Sequence, residues 1–105
     1  MSESLEEKLL NLLSSMREWE KKPVLKSGRI VVELVKLPER RSKSSYKPEH
    51  LALMIRRDDA FRGLILVSPE ELEDLRRAVT NEKLDELTRA LWKIYKDKSV
   101  QVFEL

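Results

Sequence analysis

Leu5, Leu9, Leu12, Met16 and Trp19 recur at three- and four-residue intervals, so they line one side of a helix. Ser4 followed by Glu7 has capping-box spacing and can open that helix. Pro23 stops it. The pattern then changes. Arg29-Ile30-Val31-Val32-Glu33-Leu34-Val35-Lys36-Leu37 is rich in β-branched residues and predicts a strand. Pro38 ends it, a Ser- and cation-rich loop follows, and residues 50–57 and 61–67 predict a second and a third strand around an Asp58-Asp59 turn. A parallel crossover needs about a dozen residues or more, so these short connections allow only antiparallel pairing. Ser68-Pro69-Glu70-Glu71 combines a capping Ser, Pro at the first helical position and Glu three after the cap. Leu72, Leu75 and Val79 stripe that helix. Thr80-Asn81 breaks and recaps the chain. Leu84, Leu87, Leu91 and Ile94 stripe a third helix ending near Lys98, and residues 99–105 predict a terminal strand. The order helix, three strands, two helices, strand predicts an α+β fold, with a small antiparallel sheet of about four strands packed with helices. At 105 residues the chain reads as one domain.

The strands have no purely polar side. Ile30, Val32 and Leu34 alternate with Val31, Val35 and Leu37, and Ile65 and Val67 alternate with Leu64 and Leu66. A sheet with two apolar faces needs cover on both, from helices, from a second subunit or from bound bases. The third helix has heptad-like spacing but fewer than the three or four heptads of a coiled coil, so packing on the sheet is the default. Trp92 lies off its stripe and is either exposed or covered by a partner.

Charge sharpens the picture. Residues 21–62 hold twelve basic residues against five acidic ones, in a chain whose net charge is only +2. Residues 1–20 sum to −3 and residues 63–105 to −2. One concentrated cationic segment in a nearly neutral protein points to an anionic partner. Arg29, Lys36, Arg40, Arg41, Lys43, Lys47, Arg56, Arg57 and Arg62 are the candidate phosphate contacts. If the strands pair in sequence order, these cations converge on one region of the sheet. Tyr46 and Phe61 are the candidate stacking rings, with Trp19 and His50 weaker candidates. A cationic groove with aromatic faces suits single strands. No helix–turn–helix pattern, zinc-ligand set or RNP-type aromatic motif favours duplex or RRM-like readout.

Other chemistry finds little footing. Cysteine is absent, His50 is the sole histidine, and there is no G-x-S-x-G. Gly28 and Gly63 are too far apart for a phosphate-binding glycine loop. Asp58-Asp59 reads as a turn rather than a metal site, and Glu33 and Lys36 fall on opposite strand faces. The expectation is a protein with no enzyme activity, cofactor or metal. The acidic start lacks a secretion signal and no apolar run reaches the roughly 20 residues that span a bilayer, which predicts a soluble, intracellular protein. Three amides (Asn11, Asn81, Gln101) beside 38% charged residues fit a thermophile's surface.

The stretches Glu6-Glu7-Lys8-Leu9-Leu10, Met16-Arg17-Glu18-Trp19-Glu20-Lys21, the strand 29–37, and residues 61–67 leading into Ser68-Pro69-Glu70-Glu71-Leu72 together resemble the archaeal ThermoDBP family and its related proteins. The resemblance covers most of the chain. It implies an archaeal, thermophilic, cytoplasmic and nucleoid-associated protein that binds single-stranded DNA without an OB-fold. It also implies a cleft with basic rims and an apolar floor, and a homo-oligomer, dimer or tetramer. Longer members carry a C-terminal helical extension for dimerisation, whereas this sequence ends at Leu105. A module that docks an acidic protein partner and an RNA-binding protein are the alternative readings.

Overall fold

A computed structural model describes residues 4–101. The Ser4 hydroxyl accepts the Glu7 N–H at 3.1 Å and opens α1 (Leu5–Ser15). This helix is shorter than its apolar periodicity suggests. Met16 is already extended and buried at its C-cap. The last turn of α1 has no basic residue of its own. Lys36, from a strand, supplies the charge: its Nζ donates to the Leu13 and Met16 carbonyls at 2.7 and 2.9 Å.

The chain then turns through residues 17–20 and enters β1 (Lys21–Ser27). This strand is absent from the sequence prediction, because two lysines and a proline hide it. Pro23 is tolerated because β1 is an edge strand and the register shifts between Pro23 and Leu25. Lys, Pro and a bulge also discourage edge-to-edge pairing with another chain. Gly28, at φ +58, occupies the first central position of the two-residue turn between Ser27 and Ile30, as a type II′ hairpin requires.

Next come β2 (Ile30–Leu37), a two-residue ladder of β3 (Arg40–Arg41) with β4 (Tyr46–Lys47), β5 (His50–Arg57) and β6 (Leu64–Leu66). The main sheet is antiparallel with order β1-β2-β5-β6. The α+β class and the four-stranded antiparallel sheet therefore hold. The serine-rich loop is itself a small hairpin, closed by Ser42 and Ser45 through a 2.8 Å backbone bond and their hydroxyls. The third predicted strand is trimmed: Phe61, Arg62 and Gly63 precede β6 as loop.

The register assigns the two faces. Glu33, Val35, Leu37, Ala52, Met54 and Ile65 share one face, where Val35, Ala52 and Met54 are buried with Leu37 and Ile65 packed against them. Lys36 and Leu51 share the opposite face, where α1 lies against β5 with Leu9 and Leu13 half-buried beside Leu51.

The chain divides between Val67 and Ser68 into two compact units. In the second, α2 (Pro69–Val79) has the predicted capping box: Ser68 and Glu71 each accept the other's backbone N–H. Asn81 receives the Lys83 N–H at 2.9 Å and opens α3 (Glu82–Gln101). The helix continues through the first residues assigned to a terminal strand; residues 102–105 lie outside the described residues. No helix among the described residues is long and apolar enough to cross a membrane.

Candidate nucleic-acid interface

The turn after α1 places Trp19 in an unusual backbone state. Glu20 N–H donates to the Arg17 carbonyl at 3.0 Å, and the Glu20 carboxylate accepts the Arg17 N–H at 2.9 Å. Between them Trp19 adopts φ 65, the left-handed region, while its N–H donates to the Lys36 carbonyl at 2.7 Å. It is the only such non-glycine among the described residues. A left-handed L-residue costs about 1–2 kcal/mol, and such strain clusters at functional sites. The indole is nevertheless 48% exposed, so burial does not repay the strain.

Trp19 lines a groove of about 400 Å³ with Lys21, Arg40, Phe61 and Arg62, over a floor that includes Met54 and Ile65. That volume falls within the roughly 300–1,000 Å³ of small-ligand sites, large enough for a nucleobase. Phe61 is 81% exposed. Lys21 holds it: Nζ donates to the Phe61 carbonyl at 2.8 Å and sits 4.4 Å from the ring centroid. The rest of the ring faces solvent. Gly63 closes this end of the groove because only a residue without Cβ fits there. An added Cβ would lie 2.1 Å from the Ile55 carbonyl oxygen.

The loop carrying Phe61 is anchored from below. Arg56 donates to Glu33 at 2.6 Å and, through Nη1, to the Arg57 and Ala60 carbonyls at 3.0 Å each. The Arg56 hydrogen bond holds the Glu33 carboxyl below its usual value, aided by the charge of Lys21 and opposed by burial. Glu33 therefore contributes stability above the ordinary Glu value of about 4.3 and loses it as pH falls through its depressed folded value. Urea unfolding between neutral and acid pH should show Glu33→Gln with a shallower acid limb than the parent protein. Superimposable pH profiles would contradict this.

The candidate cations do not converge on one region. Ile30 pairs with Arg57 and Leu37 with His50, so the two ends of the β2–β5 ladder are roughly 23 Å apart at about 3.3 Å per residue. Arg29 and Arg57 sit at one end, bound to Asp58 and Asp59. The adjacent Asp58 and Asp59 carboxylates both reach Arg29, at 3.1 and 3.0 Å. The Arg29 hydrogen bond also keeps the Asp58 carboxyl below its usual range. Arg56 is committed to Glu33, and Lys36 is buried under α1 with Glu49 at 3.4 Å. These two do not present a free charge to a ligand.

At the other end Arg41 pairs with Glu39 and lies 5.0 Å from the Tyr46 ring centroid. His50 Nδ1 is 2.9 Å from the Pro48 carbonyl oxygen, and Lys43 and Lys47 are exposed on the hairpin. Each of the five acidic residues between 21 and 62 has an ion-paired cation. Lys21, Lys26, Arg40, Lys43, Lys47 and Arg62 make no ion pair with any described residue. Three of them, Lys21, Arg40 and Arg62, line the groove.

The sequence pattern puts Trp19 on a helix stripe and does not mark Lys21, Met54 or Ile65 as groove residues. The available signal was Trp19-Glu20-Lys21-Lys22, an aromatic beside cations just before a proline. The apolar floor residues could not be told from ordinary core by pattern alone. No protein-family model, curated protein sequence or solved structure matches the chain.

Proposed function

We propose that this protein binds single-stranded DNA with little sequence preference through the Trp19–Phe61 groove. The observation that carries the reading is the joining of two exposed rings, one on a strained backbone, with three unpaired cations over an apolar floor. Bases of any identity have a π-face, whereas phosphates need only positive charge, so this combination suits a splayed single strand. Arg40 and Arg62 take phosphates at the groove, and Lys43 and Lys47 extend the cationic track along the hairpin. Lys21 orients Phe61. Arg29, Arg56 and Arg57 support the strand ends and the Phe61 loop.

With four phosphates neutralised, log affinity should fall against log salt with a slope of about −3. Fluorescence anisotropy of labelled oligo-dT across a salt series measures it. A flat dependence, or equal affinity for duplex, would refute the reading. Tighter binding of oligo-rU than oligo-dT would redirect it to RNA. Binding of acidic polypeptides with no response to oligonucleotide would redirect it to a protein partner.

Assembly as a homo-oligomer is supported by Leu84, Leu87, Leu91 and Ile94, each 42–56% exposed along α3. Light scattering at micromolar concentration should give a mass above that of the 12.4 kDa chain. A monomer would remove this part of the proposal.

A further inference from the structure

We infer that Trp92 and Tyr95 on α3 form a second stacking platform for single-stranded nucleic acid, in the unit that does not contain the groove. The two rings stand three residues apart on the helix and stack with centroids 5.7 Å apart and planes 20° from parallel. They are 57% and 63% exposed. Helical geometry puts Trp92 roughly 120° around from the midline of the Leu84–Leu87–Leu91–Ile94 stripe. The stripe accounts for helix packing or pairing, and leaves the Trp92 face unexplained.

That face has the chemistry of a nucleotide site. Arg89 and Lys96 flank Trp92 at i−3 and i+4, and Lys96 Nζ lies 5.7 Å from the Trp92 ring centroid. By the same helical geometry Arg89 and Lys96 lie within about 60° of Trp92 and Lys93 about 100° away, with Asp85 the acidic residue on that side. Arg89 is shared with Asp85, but both side chains are more than two-thirds exposed, so solvent screens the pair and it yields easily to a phosphate. Rings already stacked on one another have lost much of their rotational freedom, and a base that adds to the stack orders little more. Positive charge beside open aromatic faces selects an anionic ligand with a flat apolar ring. A duplex buries its base faces and is excluded from the stack.

The identity of the ligand rests on the groove reading; the geometry of the platform does not. The two tryptophans separate the sites. In Trp92→Phe the sole tryptophan reports on the groove, and in Trp19→Phe it reports on the platform. Titrating each with oligo-dT of increasing length should quench both, with Trp92 unaffected by duplex. Trp92→Ala with Tyr95→Ala should weaken binding of long oligo-dT about tenfold, within the range for one lost base stack. Quenching in Trp92→Phe alone would overturn the platform and leave the groove standing. Quenching in Trp19→Phe alone would keep the platform and overturn the groove. Silence in both would overturn both. A Trp92 spectrum that shifts with protein concentration and ignores oligonucleotide would assign this face to a second copy of the chain and overturn the inference.

Discussion

Replacing Trp19 and Phe61 together with alanine should lower affinity for oligo-dT on the order of a thousandfold. Base–aromatic stacking contributes about 1–3 kcal/mol per base by alanine substitution, so two stacks amount to about 4 kcal/mol. The fold should survive the change, because Phe61 is 81% exposed and Trp19 is half-exposed on a turn outside the sheet. The melting temperature should move by no more than about 5 °C. Each single variant should give roughly half of the effect in free energy, provided the rings act on different bases. Anisotropy titrations at fixed salt, paired with circular dichroism melts, separate binding from folding. An affinity within threefold of the parent protein in the double variant would show that the rings do not meet bases. The salt slope of the double variant should stay near that of the parent, since no phosphate contact is removed.

Gly63→Ala should be strongly destabilising for so small a substitution. Its new methyl would sit 2.1 Å from the Ile55 carbonyl oxygen, 2.8 Å from the Ile55 carbonyl carbon and 2.7 Å from Arg56 Cβ. Two of these three atoms are β5 backbone and cannot rotate away. The chain entering β6 must lift off, which weakens the pairing of Leu64, Ile65 and Leu66 with Ile55, Met54 and Leu53. The expected loss is about 3 kcal/mol, at the upper end of ordinary substitutions. That is a large part of the stability of a small protein, typically about 5–15 kcal/mol. Urea unfolding of the parent and the variant measures it. A change under about 1 kcal/mol would mean that the strand adjusts without losing its pairing. Binding should weaken as well, because Gly63 and Ile65 line the groove and Phe61 enters it two residues earlier.

Local signals read well from sequence where the chemistry is local. Ser68, Pro69 and Glu71 specify the start of α2 through bonds reaching no further than three residues, and the capping box is present. The β-branched run at 30–37 and the apolar residues of 50–57 form β2 and β5 almost to the residue. β1 escaped notice because an edge strand needs only one partner, and its lysines and Pro23 carry no β preference of their own. The end of α1 escaped notice for a related reason. Lys36 caps it from 20 residues further along the chain, and no window of helical periodicity contains both.

The sequence by itself determined the α+β class, the antiparallel connections, the helix starts and the surplus of positive charge between residues 21 and 62, because each depends on neighbours along the chain. Only the tertiary structure decided which charges are available. Ion pairing is set by distance in space: Asp58 and Asp59 take up Arg29 and Arg57, Glu33 takes up Arg56, and α1 buries Lys36. What remains at the groove is Lys21, Arg40 and Arg62, beside a tryptophan held in a left-handed turn and a phenylalanine held by a lysine. Those neighbours come from a turn, an edge strand, a hairpin and a loop. Strand register brings them together, and register is fixed by which face of the sheet each apolar side chain must occupy.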